Sequence, residues 1–520
     1  MFRVAAVLAS FLLLSFGSAQ TLVFAQSGWP VTLDTGTAQD GNSRMVSEQI
    51  AETLIGLELG GTALEPRLAT SWTPNEDATV WTLELRQGVT FHDGTPFDAE
   101  AAKFNLDRFN DPEHPYGFRD QGKAYVPWGW IFGGPRGEGV LDLVEVVDDY
   151  TIRLYLTDSV GFLPVMLSSG YFAMHSPAAI MEHGPDYGTP RVGSVGTGPF
   201  VFGEWVEGER VVLERFDGHW GVTPEVDRVV ILGIEDPAAR LAALRSGTVH
   251  IAVNLNPDDI DVIESDPDLV ASMPNTALNT GYLAMHQGQP PFDDVRVRQA
   301  VAYAIDQQAI VEALYGELGV AATQFTPPGV FGYRDDLGGY PYDPDKAREL
   351  LAEAGYANGF TTELWYMPVT RPYITAPAAV AEAQASYLAE VGIIAELKTE
   401  DWGTYLDDFT GKFPMYQLGW NAQYADADGF LYAMFARATA LAEYGWENEE
   451  FQELLDLGRR AASEADRLDY YNRAAQILHD EVPALPMAHG RALNALRAGI
   501  GGFYPNPVGN VMPLYPVTMD

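Results

Sequence analysis

The chain has 520 residues, 47% of them hydrophobic and 20% charged, with 72 acidic against 31 basic side chains, a formal net charge of -41 and no cysteine. Such a charge opposes binding to nucleic acid or to anionic lipid, and the absence of thiols excludes disulfides, thiolate catalysis, cysteine-ligated metals and a lipid anchor on an N-terminal cysteine. The length allows large cores and predicts two or three domains, held by packing without covalent staples.

In chain order, Arg3, an apolar run over 4–16 and the small residues Gly17-Ser18-Ala19 have the layout of an export leader. They predict a signal peptide over 1–19, cleaved after Ala19. No later run reaches the about 20 apolar residues of a membrane helix, so the mature chain is expected to be exported and soluble. Ser43 predicts the cap of a helix with Val46, Ile50 and Leu54 on one stripe. Trp81, Leu83 and Leu85 alternate with Thr82 and Glu84 as a half-buried strand ahead of the turn Asp93-Gly94, and Asp98 should cap the next helix, with Phe104 facing inward. Residues 141–157 and 200–216 read as hairpins turning at Asp148-Asp149 and Glu207-Gly208. Asp236-Pro237 starts a short helix stopped by Gly247, and a strand follows over 249–253.

The second half is more helical. Val297, Val301, Ala304 and Ile305 form one stripe after Asp294. Asp343-Pro344 opens a helix ending at Gly355, and a third covers about 378–392. Two more fill 448–481, with Phe451, Leu454, Leu455, Leu468, Tyr471 and Leu478 as inner faces, until Pro483 halts the pattern. Between them, 363–366, 394–399 and 415–420 read as strands. Strands and helices alternate without a short repeat, which gives an α/β architecture whose second lobe has its own core.

One run carries chemistry: Trp365-Tyr366-Met367-Pro368-Val369-Thr370-Arg371-Pro372-Tyr373. Pro372 favours an extended backbone at Arg371, and the guanidinium fork can donate two parallel hydrogen bonds to a carboxylate. The competing expectation, in so acidic a chain, is an ordinary surface ion pair. Other chemistries fail on spacing. Asp426-Ala427-Asp428-Gly429 begins like a calcium loop, but Phe430 stands at the next ligand position. His479 and His489 are ten apart with prolines between, and no phosphate loop, zinc-helix motif or Gly-x-Ser-x-Gly elbow occurs. No metal, cofactor or catalytic residue is therefore expected.

Four further stretches complete a pattern: Leu68-Ala69-Thr70-Ser71-Trp72, Leu85-Arg86-Gln87-Gly88-Val89-Thr90-Phe91-His92-Asp93-Gly94, Gly196-Thr197-Gly198-Pro199-Phe200, and Pro291-Phe292-Asp293-Asp294-Val295-Arg296-Val297-Arg298-Gln299-Ala300. With these the chain resembles, over nearly all its mature length, the peptide/nickel-type (family 5) solute-binding proteins of bacterial ABC importers, and most closely the dipeptide-binding members. The resemblance implies a two-lobed periplasmic-binding-protein clamp of type II, with lobe I over 20–274 plus 489–520, an inserted subdomain at about 62–189, and lobe II over 275–488. Crossings between the lobes are expected near 274–282 and 488–491. It implies a monomeric periplasmic receptor, performing no chemistry, that captures dipeptides or short oligopeptides and presents them to an inner-membrane permease served by separate ATP-using subunits.

Carried over residue by residue, the resemblance gives Arg371 the peptide carboxylate and makes Tyr373 part of the wall. Gly41, Asn42 and Ser43 match the first-lobe loop facing the ligand, while Tyr282 and His286 lie in the crossing segment, His286 standing where asparagine is usual. Peptide-binding relatives place an aspartate three residues after the tryptophan of a Gly-Trp run, to meet the peptide ammonium. Here Gly419-Trp420-Asn421-Ala422 is followed by Gln423, which cannot offset a charge. Either Asp426 or Asp428 substitutes, or the ligand carries a carboxylate and no free ammonium. A saccharide is a third reading, with Trp402, Trp420 and Tyr424 as stacking walls. An exported hydrolase and a peptide-binding chaperone are the lower-ranked rivals.

Overall fold

The computed structural model describes residues 20–422, 424–507 and 512–520; the expected leader, 1–19, lies outside the described residues. Thr21–Gln26 is the central strand of a seven-stranded sheet and runs parallel to both Arg228–Gly233 and Ile251–Ala252. Arg210–Arg215 and Phe200–Val206 extend the sheet antiparallel on one side, as the hairpin expected at Glu207-Gly208. Asn494–Arg497 and Leu269–Ser272 complete the other side. The two-residue period of a strand sends Leu22 and Phe24 to one core with Phe200 and Ile231, and Ala25 to a second with Leu244 and Leu255. This sheet therefore draws strands from both ends of the chain.

Between these strands lies an inserted four-stranded antiparallel sheet, ordered Ala69–Pro74, Val80–Leu85, Thr151–Leu156, Leu141–Asp148. The helix Ala99–Asn110 packs on it, capped by Asp98, whose side chain accepts from the amide of Ala101. Phe104 departs from expectation: it is half-buried against His114 and Tyr116, and Leu106 and Phe109 fill the core instead. Arg108 of the same helix reaches out of the insert to Asp34, donating at 2.9 and 2.5 Å to its two carboxylate oxygens with both side chains fully buried. Burial raises the Asp34 carboxyl, yet the charge and hydrogen bonds of Arg108, with smaller help from His175 and Lys123, together hold the group below its ordinary value. Beside them the His175 imidazole bonds Thr35 and Tyr187, each at 2.9 Å.

The chain leaves the first sheet after Ser272 and enters a second at Asn279; it returns between Gly490 and Asn494. The second sheet has six strands, ordered Gly319–Ala321, Ala484–Gly490, Asn279–Met285, Met415–Asn421, Phe360–Trp365, Ile393–Lys398. The helices expected after Asp294, Asp343 and Asn448 form as Val295–Ala304, Pro344–Glu353 and Glu449–Arg460, each capped by that polar residue.

Three local expectations are corrected. Asp40, not Ser43, caps the helix Gly41–Ile50, accepting from the Ser43 amide at 2.8 Å, and Leu54 lies beyond the helix end. The strand expected over 249–253 is only Ile251–Ala252. Leu468 is 37% exposed because the inner stripe of Glu464–Glu481 starts one residue earlier, at Arg467, and continues through Tyr471, Ala474, Ala475 and Leu478.

Two outcomes follow from the buried polar groups. Arg108→Leu strands the Asp34 carboxylate and should lower the unfolding free energy by about 3–5 kcal/mol in urea titration. Burial pushes the imidazoles of His92, His175 and His489 down to about 4. The unfolded chain binds protons below about pH 6.5 while these buried rings stay neutral, so stability falls as pH drops from there to about 4. The slope is ~1.4 kcal/mol per pH unit for each such group, and His175→Gln should reduce the measured slope by about one proton.

Candidate functional site

A cleft of about 550 Å³ opens between the two large sheets. The first-sheet side contributes Ser27, Gly41, Arg44, Tyr171 and Asn254; the second contributes Arg371, Pro372 and Asn421; the crossings contribute Leu278, Arg491 and Leu493. No aspartate or glutamate is among the described residues that line it. The sequence at 423 and 508–511 holds no acid either. In a chain with 72 carboxylic side chains, this wall is segregated by charge.

Arg371 is held by a tight reverse turn. Its amide donates to the carbonyl of Ile374 and the amide of Ile374 donates back, both at 3.0 Å. The turn lies flat on the second sheet because two strands present glycine beneath it. A Cβ on Gly490 would stand 1.7 Å from the Pro372 carbonyl oxygen, and one on Gly419 would stand 2.2 Å from the Tyr373 ring. Both separations are far inside van der Waals contact, so glycine at these positions sets the seat. The half-buried guanidinium donates to the Thr370 carbonyl at 3.0 Å and lies 5.4 Å from the centre of the Trp402 ring. No carboxylate is within ion-pairing distance of it among the described residues, which disposes of the surface ion pair.

Five other expected residues, Tyr373, Trp402, Trp420, Asn42 and Ser43, are not among those that line the cleft. Tyr373 is 5% exposed, with its carbonyl accepting from the Tyr315 hydroxyl at 3.0 Å. Burial raises its phenol above the ordinary value, opposed by the Arg371 charge. Trp402 stacks on Tyr405, and the Trp420 indole donates to the Gly429 carbonyl at 2.7 Å. Gly41 does line the cleft. Asn42 accepts from Ser27 Oγ at 3.3 Å, and Ser43 is fully buried, donating to Asp40 and accepting from the Val31 amide.

The remaining expectations need correction. Tyr282 is 3% exposed and packs on Phe325 and Tyr444 inside the second core. His286 lies past the far end of the same strand, roughly 23 Å along it from the cleft-lining Asn279, and accepts from the Gly288 amide. Asp426 is fully buried in an ion pair with Arg467 at 2.8 Å. Asp428 is likewise taken, by Arg459 at 3.1 Å and the hydroxyls of Tyr424 and Tyr471. Neither carboxylate is open to a ligand ammonium. Tyr424 stacks at 5.9 Å on Phe162 of the insert, so it joins the lobes. Gln423 lies outside the described residues.

Sequence reasoning missed two arginines of the cleft. Arg44 pairs with Glu48 at 2.8 Å and lies 4.3 Å over the Tyr171 ring. Arg491, at the second crossing, donates to the Glu317 carbonyl. The excess of arginine over acid near the crossings was visible only once the fold had brought 44, 371 and 491 to one cleft.

The comparisons with known proteins agree with this geometry. The model of bacterial extracellular solute-binding proteins, family 5 Middle, matches residues 63–441. The dipeptide-binding protein of Escherichia coli K12 is 32% identical over 515 residues, 94% of this chain and 93% of that protein. Heme-binding protein A of Haemophilus influenzae is 32% identical over 508 residues, 95% of this chain and 91% of that one. Among solved structures, HbpA2 from Haemophilus parasuis superposes with a TM-score of 0.87 at 30% identity, covering 96% of this chain and 100% of that one. With two sheets facing across a cleft and similarity running through the whole described chain, this protein belongs to the family 5 bacterial extracellular solute-binding proteins.

Proposed function

We propose that the protein is the periplasmic receptor of an ABC importer, taking a short peptide or peptide-like solute by its terminal carboxylate and passing it to a membrane permease. One observation carries the reading: Arg371 faces an interlobe cleft with no carboxylate among the described residues within ion-pairing distance to neutralise it. A planar guanidinium in that state is a receptor for the two oxygens of a carboxylate. The relative from E. coli is named for dipeptides, which accords with a cavity of this size. The described lining includes no histidine, lysine, cysteine or carboxylate. Among the described residues no helix is long and apolar enough to cross a membrane, as suits a receptor that hands its cargo to a separate permease.

Arg371→Ala should weaken binding of a short peptide by about 10- to 100-fold, the range for losing charge-assisted hydrogen bonds, with an unchanged melting temperature for the ligand-free protein. Arg371→Lys should restore only part of the affinity, because an ammonium lacks the two-pronged fork. Titration calorimetry reads both effects, and an unaltered affinity in the alanine variant removes the carboxylate assignment.

A further inference from the structure

Arg371 is not alone. Arg491 lines the same cleft, its Nε is buried with no hydrogen-bond partner, and no carboxylate lies within ion-pairing distance among the described residues. Among the described residues, the hydrogen bond of its guanidinium goes to the backbone carbonyl of Glu317. The two arginines rise from backbone segments in direct contact, since Gly490, which precedes Arg491, lies against the carbonyl of Pro372, which follows Arg371. Arg44 adds a third guanidinium, already matched by Glu48. Two neighbouring cations without counter-charges repel each other and attract any anion that spans them. A ligand ammonium meets the opposite situation, because Asp426 and Asp428 are bound by Arg467 and Arg459.

We infer that the cleft selects a solute with two carboxylates, one on Arg371 and the second on Arg491, and gives no advantage to a free amine. This rests on the carboxylate role proposed above for Arg371 and adds the charge class of the ligand. For a peptide the second carboxylate is an acidic side chain, and an acylated amine removes the group that the wall cannot neutralise. Arg491 is thereby a specificity-determining residue, acting on the second anion and not on the first.

The test uses four probes on the full protein by titration calorimetry: Ala-Ala, Ala-Glu, N-acetyl-Ala-Ala and N-acetyl-Ala-Glu. N-acetyl-Ala-Glu should bind at least about tenfold more tightly than N-acetyl-Ala-Ala, the lower range for a charged hydrogen bond, and the ratio should shrink as salt rises. Arg491→Gln should bring that ratio to within about twofold, the loss falling mainly on N-acetyl-Ala-Glu, and Arg491→Lys, which keeps the charge, should retain part of it. Equal binding of the two acetylated probes, a preference for Ala-Ala, or a ratio that persists in Arg491→Gln overturns the inference and leaves the peptide reading standing. Failure of all four probes to bind overturns both, and an Arg371→Ala variant that binds all four normally removes the carboxylate role of Arg371 and, with it, the two-carboxylate inference.

Discussion

An arginine stays without an acidic partner in a chain of net charge -41 only if the fold keeps every carboxylate away from it. That exclusion is the constraint on which the site depends. Coulomb attraction between exposed groups is weak but abundant, and 72 acids would saturate a mobile guanidinium on an open surface. The fold prevents this in two ways. It fixes Arg371 on a turn pressed against a glycine-paved sheet, and it ties Asp426 and Asp428, the acids that follow the Gly-Trp run, to Arg467 and Arg459. Those ion pairs belong to the second lobe's scaffold, and they leave neither carboxylate available to a cleft arginine or to a ligand ammonium.

The same loop also shapes how the lobes meet. Tyr424 stacks on Phe162, the Gly161 amide donates to the Arg459 carbonyl at 3.0 Å, and the Thr62 hydroxyl donates to the Gly329 carbonyl at 2.6 Å. The insert thus touches the second lobe beside the cleft, while the covalent connections are the two crossings, 273–278 and 491–493. Arg491 sits on one of these, so a ligand bridging it to Arg371 ties the second lobe to the crossing itself. Coupling between ligand and lobe arrangement then follows from differential contact in the two arrangements, as any population shift requires.

Much of this was legible residue by residue. Asp-Pro pairs and other polar caps located helices because they satisfy orphan amides at the first turn. Turn residues located the two hairpins, and the run around Arg371 drew attention to a guanidinium that the fold places in the cleft. Other elements were opaque for identifiable reasons. Ala484–Gly490 contains Pro486, which argues against a central strand, yet its outer neighbour pairs only with Ala488, His489 and Gly490, so the missing amide costs no ladder bond there. Leu468 was taken for a core residue because an apolar side chain normally outranks an arginine for burial, but Arg467 is drawn inward by Asp426 from far along the chain.

The sequence by itself determined the α/β alternation, the positions of most helices, and a guanidinium held extended by the proline that follows it. Those are local properties, fixed by backbone sterics and by periodicity over a few turns. Only the tertiary structure decided which charges remain unbalanced. It brought Arg44, Arg371 and Arg491 to one cleft, withdrew Asp426 into a buried pair, and turned Tyr282 into a core. Whether a charged group is free to meet a ligand depends on what else lies within a few ångströms, and in a chain this acidic that is set by contacts between residues hundreds of positions apart.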